Sequence, residues 1–190
     1  FIDESLSDKM TLPKKVFDKV LKQYNENKIY HDVIEHIKSY IEENIDINEI
    51  DYVSGGERRD WFFSNIIAYL LKKPHITIYK DLSTVESNFD FSQTKEVSNL
   101  EGKKVLHVAD LITVASSYIR AWIPAIKNLG ASILWSCVVV DRMQGGSETL
   151  ENANVKSLSL LQIDEKLFNK ALELNIINNA QLNMLKDFTK

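Results

Sequence analysis

Residues Lys104–Ser117 read KVLHVADLITVASS and combine a buried strand, an acidic residue and a turn rich in hydroxyl groups. The apolar run up to Val108 is typical of the middle of a parallel sheet, and Asp110 follows where that strand should end. Thr113–Ser117 then leads into a helical pattern. A ligand phosphate suits such a turn, because hydroxyl and backbone N–H groups meet where the helix dipole is positive. The alternative is a strand end with an ordinary serine helix cap that binds nothing.

The composition indicates one principal core and no long-range attraction for polyanions. The chain has 190 residues, 44% of them hydrophobic, which is enough for one well-filled domain. Its 23 basic and 27 acidic residues leave a net charge of −4. We therefore expect no nucleic-acid partner and no membrane, and any recognition of phosphate must be local.

Cysteine usage and hydropathy favour a cytoplasmic protein. Cys137 is the single cysteine and lies in the apolar run 133–140, so we expect a buried, inert thiol in a reducing compartment. No apolar run approaches the roughly 20 residues that a membrane span needs. The start Phe1–Asp3 has neither an initiator Met nor a signal-peptide pattern, so we expect a fragment that lacks its natural start.

Strand and helix patterns alternate through the middle of the chain. We expect a helical cover over 1–49, an α/β core over 50–165 and a helical tail over 166–190 that packs on the core. Right-handed crossovers then give a mainly parallel central sheet flanked by helices. The chain has no P-loop and no G-x-G-x-x-G fingerprint, so a dinucleotide-dependent oxidoreductase is poorly supported.

A second polar segment, 54–59, follows the first predicted strand. Its glycines, Gly55 and Gly56, let the backbone take positive φ and approach a ligand closely. Arg58 and Arg59 offer forked donors for phosphate or carboxylate. The alternative is a flexible surface turn whose charges are solvated.

Two further polar pairs, Lys80-Asp81 and Asp141-Arg142, stand where later strands end. Between them, residues 82–99 are polar and lack a periodic apolar pattern, which predicts either a mobile loop or a short hairpin. A loop of that size inside a compact domain is typical of an active-site lid. His107 alternates with apolar residues in the predicted central strand, so we expect a hydrogen-bonded interior histidine.

Four polar segments, 54–59, 80–81, 110–117 and 141–146, each end a predicted strand. In this order they resemble the type I phosphoribosyltransferases, most closely the orotate phosphoribosyltransferases, over about residues 50–165. The resemblance implies the type I α/β fold and transfer of a phosphoribosyl group from phosphoribosyl pyrophosphate (PRPP) to orotate, a step of pyrimidine biosynthesis. It also implies Mg²⁺ as cofactor and a cytoplasmic homodimer.

The resemblance further assigns roles residue by residue. Asp110 and Lys80 match catalytic positions, and Asp110 would also meet the metal indirectly, through ribose or water. Thr113 and Arg142 would hold orotate. The contacts implied for PRPP are Gly55, Gly56, Arg58, Arg59, Asp110, Thr113, Val114, Ala115, Ser116 and Ser117.

Three departures from the family pattern leave a second function open. Ala109 replaces the first acid of the family's acidic pair, and Ala115 replaces a glycine of the phosphate turn, where a Cβ disfavours positive φ. The segment 82–99 carries only Lys95 in place of a motif rich in lysine, histidine and glycine. The alternative is therefore a protein of the same fold that binds a nucleotide or PRPP without turning it over.

Overall fold

A computed structural model describes residues 8–97 and 99–188, so the prediction about the start of the chain lies outside the described residues. The helices are α1 (Leu12–Glu26), α2 (Lys28–Asn44), α3 (Trp61–Leu71), α4 (Ile123–Asn128), α5 (Gly146–Asn152), α6 (Glu165–Glu173) and α7 (Asn179–Phe188). The strands are β1 (Tyr52–Gly56), β2 (His75–Ile78), β3 (Thr84–Ser87), β4 (Thr94–Glu96), β5 (Lys104–Ile112), β6 (Ser132–Asp141) and β7 (Lys156–Gln162). No described helix has the length and apolar character needed to cross a membrane.

The described strands form one seven-stranded sheet in the order β4-β3-β2-β1-β5-β6-β7. β1 pairs in parallel with both β2 and β5, and β6 pairs in parallel with both β5 and β7. At one edge of the sheet, β3 pairs antiparallel with both β2 and β4. The predicted α/β class with a mainly parallel sheet is confirmed.

Helices cover both faces of the sheet because the strands are apolar on both sides. On one face, α1, α2 and α3 bury side chains such as Phe17, Ile37 and Ile66 against Val53 and Leu106. On the other face, the helical segment around α4 packs against the remaining strand side chains. The core is therefore two apolar layers separated by the sheet, which is the usual architecture of such α/β domains.

Within the polar segment 82–99, the described residues 84–96 form the hairpin rather than the mobile loop. β2 runs toward the carboxyl edge of the sheet and β3 returns antiparallel to it, so the turn 88–93 lies at the opposite edge. Phe91 in this turn is buried and stacks on Phe17 with ring centroids 4.5 Å apart. The expectation that this segment forms a lid over the carboxyl edge is therefore wrong.

Candidate functional site

A cavity of about 250 Å³ opens at the carboxyl edge of the sheet, where β1 and β5 end. Ligands of open α/β sheets bind at this edge, next to a change in strand order, and β1 is the strand flanked here by β2 and β5. The residues that line the cavity are Glu57, Arg58, Arg59, Asp60, Ala109, Asp110, Leu111, Ile112, Thr113, Ala115, Ser116, Ser117, Tyr118 and Trp122. The cavity therefore joins two of the polar segments singled out in the sequence.

Gly55 and Gly56 belong to β1 and do not line the cavity. Neither has a positive φ, so the prediction of a left-handed turn at these residues is wrong. A Cβ on Gly55 would clash with the Ser64 hydroxyl, and one on Gly56 would clash with the Trp122 ring. The glycines are needed because α3 and Trp122 pack closely on the end of the strand.

The loop after β1 brings charged groups to the cavity wall. The peptide bond between Glu57 and Arg58 is cis. Arg59 lies across the cavity from the end of β5, and its Nε is 3.0 Å from Asp110 Oδ2. Glu57 Oε2 accepts a hydrogen bond of 3.1 Å from the backbone N–H of Lys80. The loop is thus tied to β5 by an ion pair and to the end of β2 by a backbone contact.

Two carboxyl groups meet at the floor of the cavity. Asp60 is buried, and its Oδ1 accepts the backbone N–H of Asp110 at 3.1 Å while its Oδ2 accepts the N–H of Gly56 at 3.1 Å. Burial raises the pKa of Asp110, the nearby Asp60 carboxyl raises it further, and Arg59 acts in the opposite direction. The site therefore disfavours a second negative charge at Asp110 in the absence of further cations.

A buried histidine lies directly behind this carboxyl pair. His107 Nδ1 is 2.9 Å from Ser54 Oγ, which confirms the expected hydrogen-bonded interior histidine. Its Nε2 is 3.4 Å from Asp60 Oδ2 and has no hydrogen-bond partner among the described residues. The imidazole also packs edge-on against Tyr118, with centroids 4.9 Å apart. His107 thus backs the cavity floor without lining the cavity.

The hydroxyl-rich turn after β5 forms the other wall. Ala115 is buried and adopts φ +58°, so the positive-φ turn that the sequence placed in question does form with alanine. Tyr118–Trp122 then forms a π-helix, and α4 follows. Pro124 has no N–H to donate to the carbonyl of Arg120, which accounts for a break in the α-helical pattern at this point.

Lys80 and Arg142 lie outside the main cavity. Lys80 lines a neighbouring cavity of about 200 Å³ that shares Ser116 and Ser117 with the main one. Arg142 is exposed, but its backbone N–H donates to Ile112 O at 3.0 Å, so it stands one residue from Thr113 on the same rim.

The structure thus brings most of the predicted site residues together and leaves some apart. The predicted residues that line the cavity are Arg58, Arg59, Asp110, Thr113, Ala115, Ser116 and Ser117; those that do not are Gly55, Gly56, Lys80, Val114 and Arg142.

The sequence analysis missed Asp60, Glu57 and Tyr118. Asp60 precedes α3 and has the sequence signature of a helix N-cap, but its carboxyl makes no cap hydrogen bond and turns toward β5. One partner, Gly56, is four residues away, but the other, Asp110, is fifty residues away in the chain, so no local pattern could have identified the bridge between them.

The donor set fits Mg²⁺ only as an indirectly held ion. Within residues 8–97 and 99–188 no three ligand side chains cluster in a way that could hold a metal ion. Asp110 and Glu57 are partly exposed carboxylates of the cavity, and Asp110 accepts from Arg59. Mg²⁺ keeps several waters and is often bound through substrate phosphates and one or two carboxylates, so these acids are compatible with it.

Sequence comparison finds relatives of one kind. No protein-family model matches the chain. An orotate phosphoribosyltransferase of Methanosphaera stadtmanae is 28% identical over 134 residues, which cover 70% of this chain and 72% of that protein. One from Sulfolobus acidocaldarius is 26% identical over 91 residues, 48% of this chain and 45% of that protein. The match thus spans less than half of the length of the Sulfolobus acidocaldarius relative.

Structure comparison confirms the predicted fold. The orotate phosphoribosyltransferase of Francisella tularensis superposes with a TM-score of 0.64 at 15% identity, covering 87% of this chain and 80% of that one. The adenine phosphoribosyltransferase of Thermoanaerobacter pseudethanolicus superposes with a TM-score of 0.57 at 21% identity, covering 75% and 84%. The fold is shared by enzymes named for different bases, so it does not identify the base.

Proposed function

We propose that this chain, which has the type I phosphoribosyltransferase fold, binds PRPP at the carboxyl edge of its sheet and transfers the phosphoribosyl group to orotate. The observation that carries the proposal is the convergence of Arg58, Arg59, Asp110 and the turn 113–117 on one cavity. The similarity to orotate phosphoribosyltransferases supports the same assignment.

The wall residues supply complementary chemistry for a sugar phosphate. Arg58 and Arg59 can donate to diphosphate oxygens, while Ser116 and Ser117 at the opposite wall suit the 5′-phosphate. Asp110 between them would accept from the ribose hydroxyls. The cavity thus fits an anion at each end and a polyol in the middle.

The reaction needs charge stabilisation and orientation rather than a nucleophilic side chain. Cleavage of the anomeric C–O bond builds positive charge on the ribose, and the electron pair of that bond leaves with pyrophosphate. Asp110 would face the positive sugar and the two arginines the departing diphosphate, so each charge develops beside its opposite. Mg²⁺ bound to the substrate oxygens would neutralise the leaving group, with Asp110 meeting it through water.

The base would enter from the rim that carries Thr113 and Arg142. Val114 and Met143 are half-exposed apolar side chains of this rim, at 54% and 50% exposure. A rim that offers a guanidinium and apolar side chains suits a planar ring that carries a carboxylate. Arg142→Ala should weaken orotate affinity by about 1.5–3 kcal/mol while PRPP affinity is kept, and unchanged orotate affinity would contradict the base assignment.

A second candidate function is binding of PRPP or a nucleotide without turnover. Ala109 leaves the cavity with one acid fewer than the family pattern, and the hairpin turn 88–93 lies at the opposite sheet edge. In addition, the connection from β2 to β3 is a tight turn in which Tyr79 N–H donates to Ser83 O. These features favour an open site from which water is poorly excluded.

One experiment separates the two candidates. Titration calorimetry with PRPP and Mg²⁺ measures binding, and a pyrophosphate-release assay with added orotate measures turnover. Binding with release supports the transferase, binding without release supports the sensor, and absence of binding contradicts both. Arg59→Ala should weaken binding in either case, because it removes a donor at the cavity wall.

We also propose a homodimer for this chain, by analogy with the family it resembles. Sedimentation equilibrium at micromolar concentration tests it directly. A single species at the 21.8 kDa mass of the chain would contradict the proposal.

A further inference from the structure

We propose that Asp60 is a positioning residue whose buried carboxylate holds the loop 56–59 and Asp110 at a fixed separation. The inference rests on the proposed function, because the two segments it joins are the proposed diphosphate-binding and ribose-binding parts of the site. It concerns a residue that contacts neither the phosphates nor the base in that assignment.

The geometry of Asp60 is that of a clamp between two strands. Its two oxygens accept backbone N–H groups on opposite sides, Asp110 at 3.1 Å and Gly56 at 3.1 Å. Gly56 ends β1 and begins the arginine loop, whereas Asp110 lies near the end of β5. Both N–H groups are thus held by the side chain of one residue that is only 7% exposed.

The clamp is supported from behind by a second buried contact. His107 Nε2 lies 3.4 Å from Asp60 Oδ2, and Ser54 fixes the other ring nitrogen at 2.9 Å. Neither His107 nor Ser54 lines the cavity. The titratable groups that face the Asp60 carboxyl are His107 and Asp110 from β5 and Tyr118 from the π-helix after β5, and Arg59 pairs with the neighbouring Asp110.

The same chain contains a matched contact with no ligand site beside it. At the amino edge, Asp51 Oδ2 accepts the backbone N–H of Lys104, the first residue of β5, at 2.9 Å. Asp51 lines none of the described cavities. A carboxylate therefore holds an N–H of β5 at each edge of the sheet, and only the carboxyl edge carries the cavity.

Substitution by asparagine tests the clamp because it replaces one acceptor oxygen with a donor NH₂ group. In Asp60→Asn, the N–H of either Gly56 or Asp110 must lose its acceptor and face another donor. In Asp51→Asn, the remaining oxygen can still accept the Lys104 N–H, and the contact that is lost is the ion pair with Lys103 at the opposite edge. Asp60→Glu keeps the charge and displaces the carboxylate by one methylene group, so it separates charge from position.

The experiment compares the wild-type chain with these three variants by two readouts. Calorimetry with PRPP and Mg²⁺ gives affinity, and NMR amide exchange reports on Gly56 and Asp110 without any ligand. We expect Asp60→Asn and Asp60→Glu each to weaken PRPP binding about tenfold or more. We expect Asp51→Asn to change it less than about twofold, at a comparable loss of thermal stability.

The outcomes separate this inference from the proposed function. If the wild-type chain does not bind PRPP, the proposed function fails, and amide exchange at least about tenfold faster at Gly56 or Asp110 in Asp60→Asn still supports the clamp. Unchanged exchange at both amides overturns the clamp. Wild-type affinity in Asp60→Glu also overturns it, because charge alone would then suffice.

A remote variant keeps the test open if Asp60→Asn does not fold. Ser54→Ala removes the hydrogen bond that fixes His107 and leaves every residue lining the cavity in place. We expect a loss of PRPP affinity of about two- to fivefold, the net effect of one hydrogen bond. Affinity equal to that of the wild-type chain would overturn the clamp.

Discussion

At each edge of the sheet, an aspartate carboxylate accepts a backbone N–H of β5, but the charged groups around the two carboxylates differ. At the amino edge, Asp51 accepts from the Lys104 N–H, and Lys103 Nζ donates to its other oxygen at 2.9 Å. These contacts lower the pKa of Asp51. At the carboxyl edge, Asp60 accepts from the Asp110 N–H, and the carboxyl group brought alongside is a second acid.

This difference distinguishes the amino edge from the edge at which we propose that the ligand binds. The ionised form of Asp51 stabilises the folded state, because a backbone hydrogen bond and a lysine favour the negative charge. The ionised form of Asp110 destabilises the folded state, because burial and the Asp60 carboxyl disfavour the negative charge and so raise its pKa. A ligand that brings cations or hydroxyl donors to the carboxyl edge would relieve a cost that the amino edge does not carry.

The largest expected effect is a packing failure at the carboxyl edge. Gly56→Ala places a Cβ against the Trp122 ring and should lower the free energy of unfolding by about 2–3 kcal/mol. Gly102→Ala at the opposite edge meets no atom within 4 Å but has φ +72°, so it should cost about 1 kcal/mol. Urea denaturation of both variants measures the difference, and equal losses would contradict the close packing at the carboxyl edge.

The next effect tests the charge at the cavity floor. Asp110→Asn should weaken PRPP binding by about 2 kcal/mol, because a charged acceptor for the ribose is lost. The same variant should be more stable than the wild-type chain at pH 7. The pKa of Asp110 is raised in the folded state, so its contribution is full below the unfolded value of 3.8 and is lost as pH rises through the folded pKa.

Thermal melts from pH 3 to pH 7 check the sign of this effect. The stability gain of Asp110→Asn should be largest near pH 7 and should shrink as the pH approaches 3. A variant that is less stable at pH 7 would show that the ion pair with Arg59 outweighs the repulsion by Asp60.

At the amino edge we expect a smaller change in stability, opposite in sign to that of Asp110→Asn. Asp51→Asn should lower the free energy of unfolding at pH 7 by about 1 kcal/mol, the net worth of a hydrogen bond with a partly exposed ion pair. The lowered pKa means that this stabilisation is present above the unfolded value of 3.8 and is lost as pH falls through the folded pKa. The loss of stability in Asp51→Asn should therefore be larger at pH 7 than at pH 3, and urea denaturation at the two pH values measures it.

The smallest effect is expected at the turn after β5. Ala115→Gly relieves a left-handed conformation worth about 1 kcal/mol but adds about 0.4–1 kcal/mol of unfolded-chain entropy. The free energy of unfolding should change by less than about 0.5 kcal/mol. A loss near 2 kcal/mol in urea denaturation would show that packing of the buried methyl group dominates.

Much of the fold could be predicted because strands and helices carry local signals. The apolar run before Asp110 predicted β5, and its periodic successor predicted the helix around α4. The bounds of β1 were wrong because Gly55 and Gly56 read as a turn, whereas their small size serves contacts with Ser64 and Trp122. Those contacts are tertiary and leave no local trace.

The candidate site was predictable only in its exposed parts. Arg58 and Arg59 stood out by charge, and Ser116 and Ser117 by their position before a helix. Asp60 did not, because its partners are backbone N–H groups that any residue could supply. Asp60 can contact both segments only because the sheet topology places β1 beside β5.

The tight turn at the end of β2 has a mechanical consequence for the first helix. The Tyr79 hydroxyl donates to Lys9 O at 2.9 Å, and the Lys9 ammonium group pairs with Asp81 in the same turn. Lys80 stands between these two contacts, and its backbone N–H donates to Glu57 Oε2. A displacement of Lys80 should therefore also move the segment that leads into α1, so a spectroscopic label on that segment would report on motion at the end of β2.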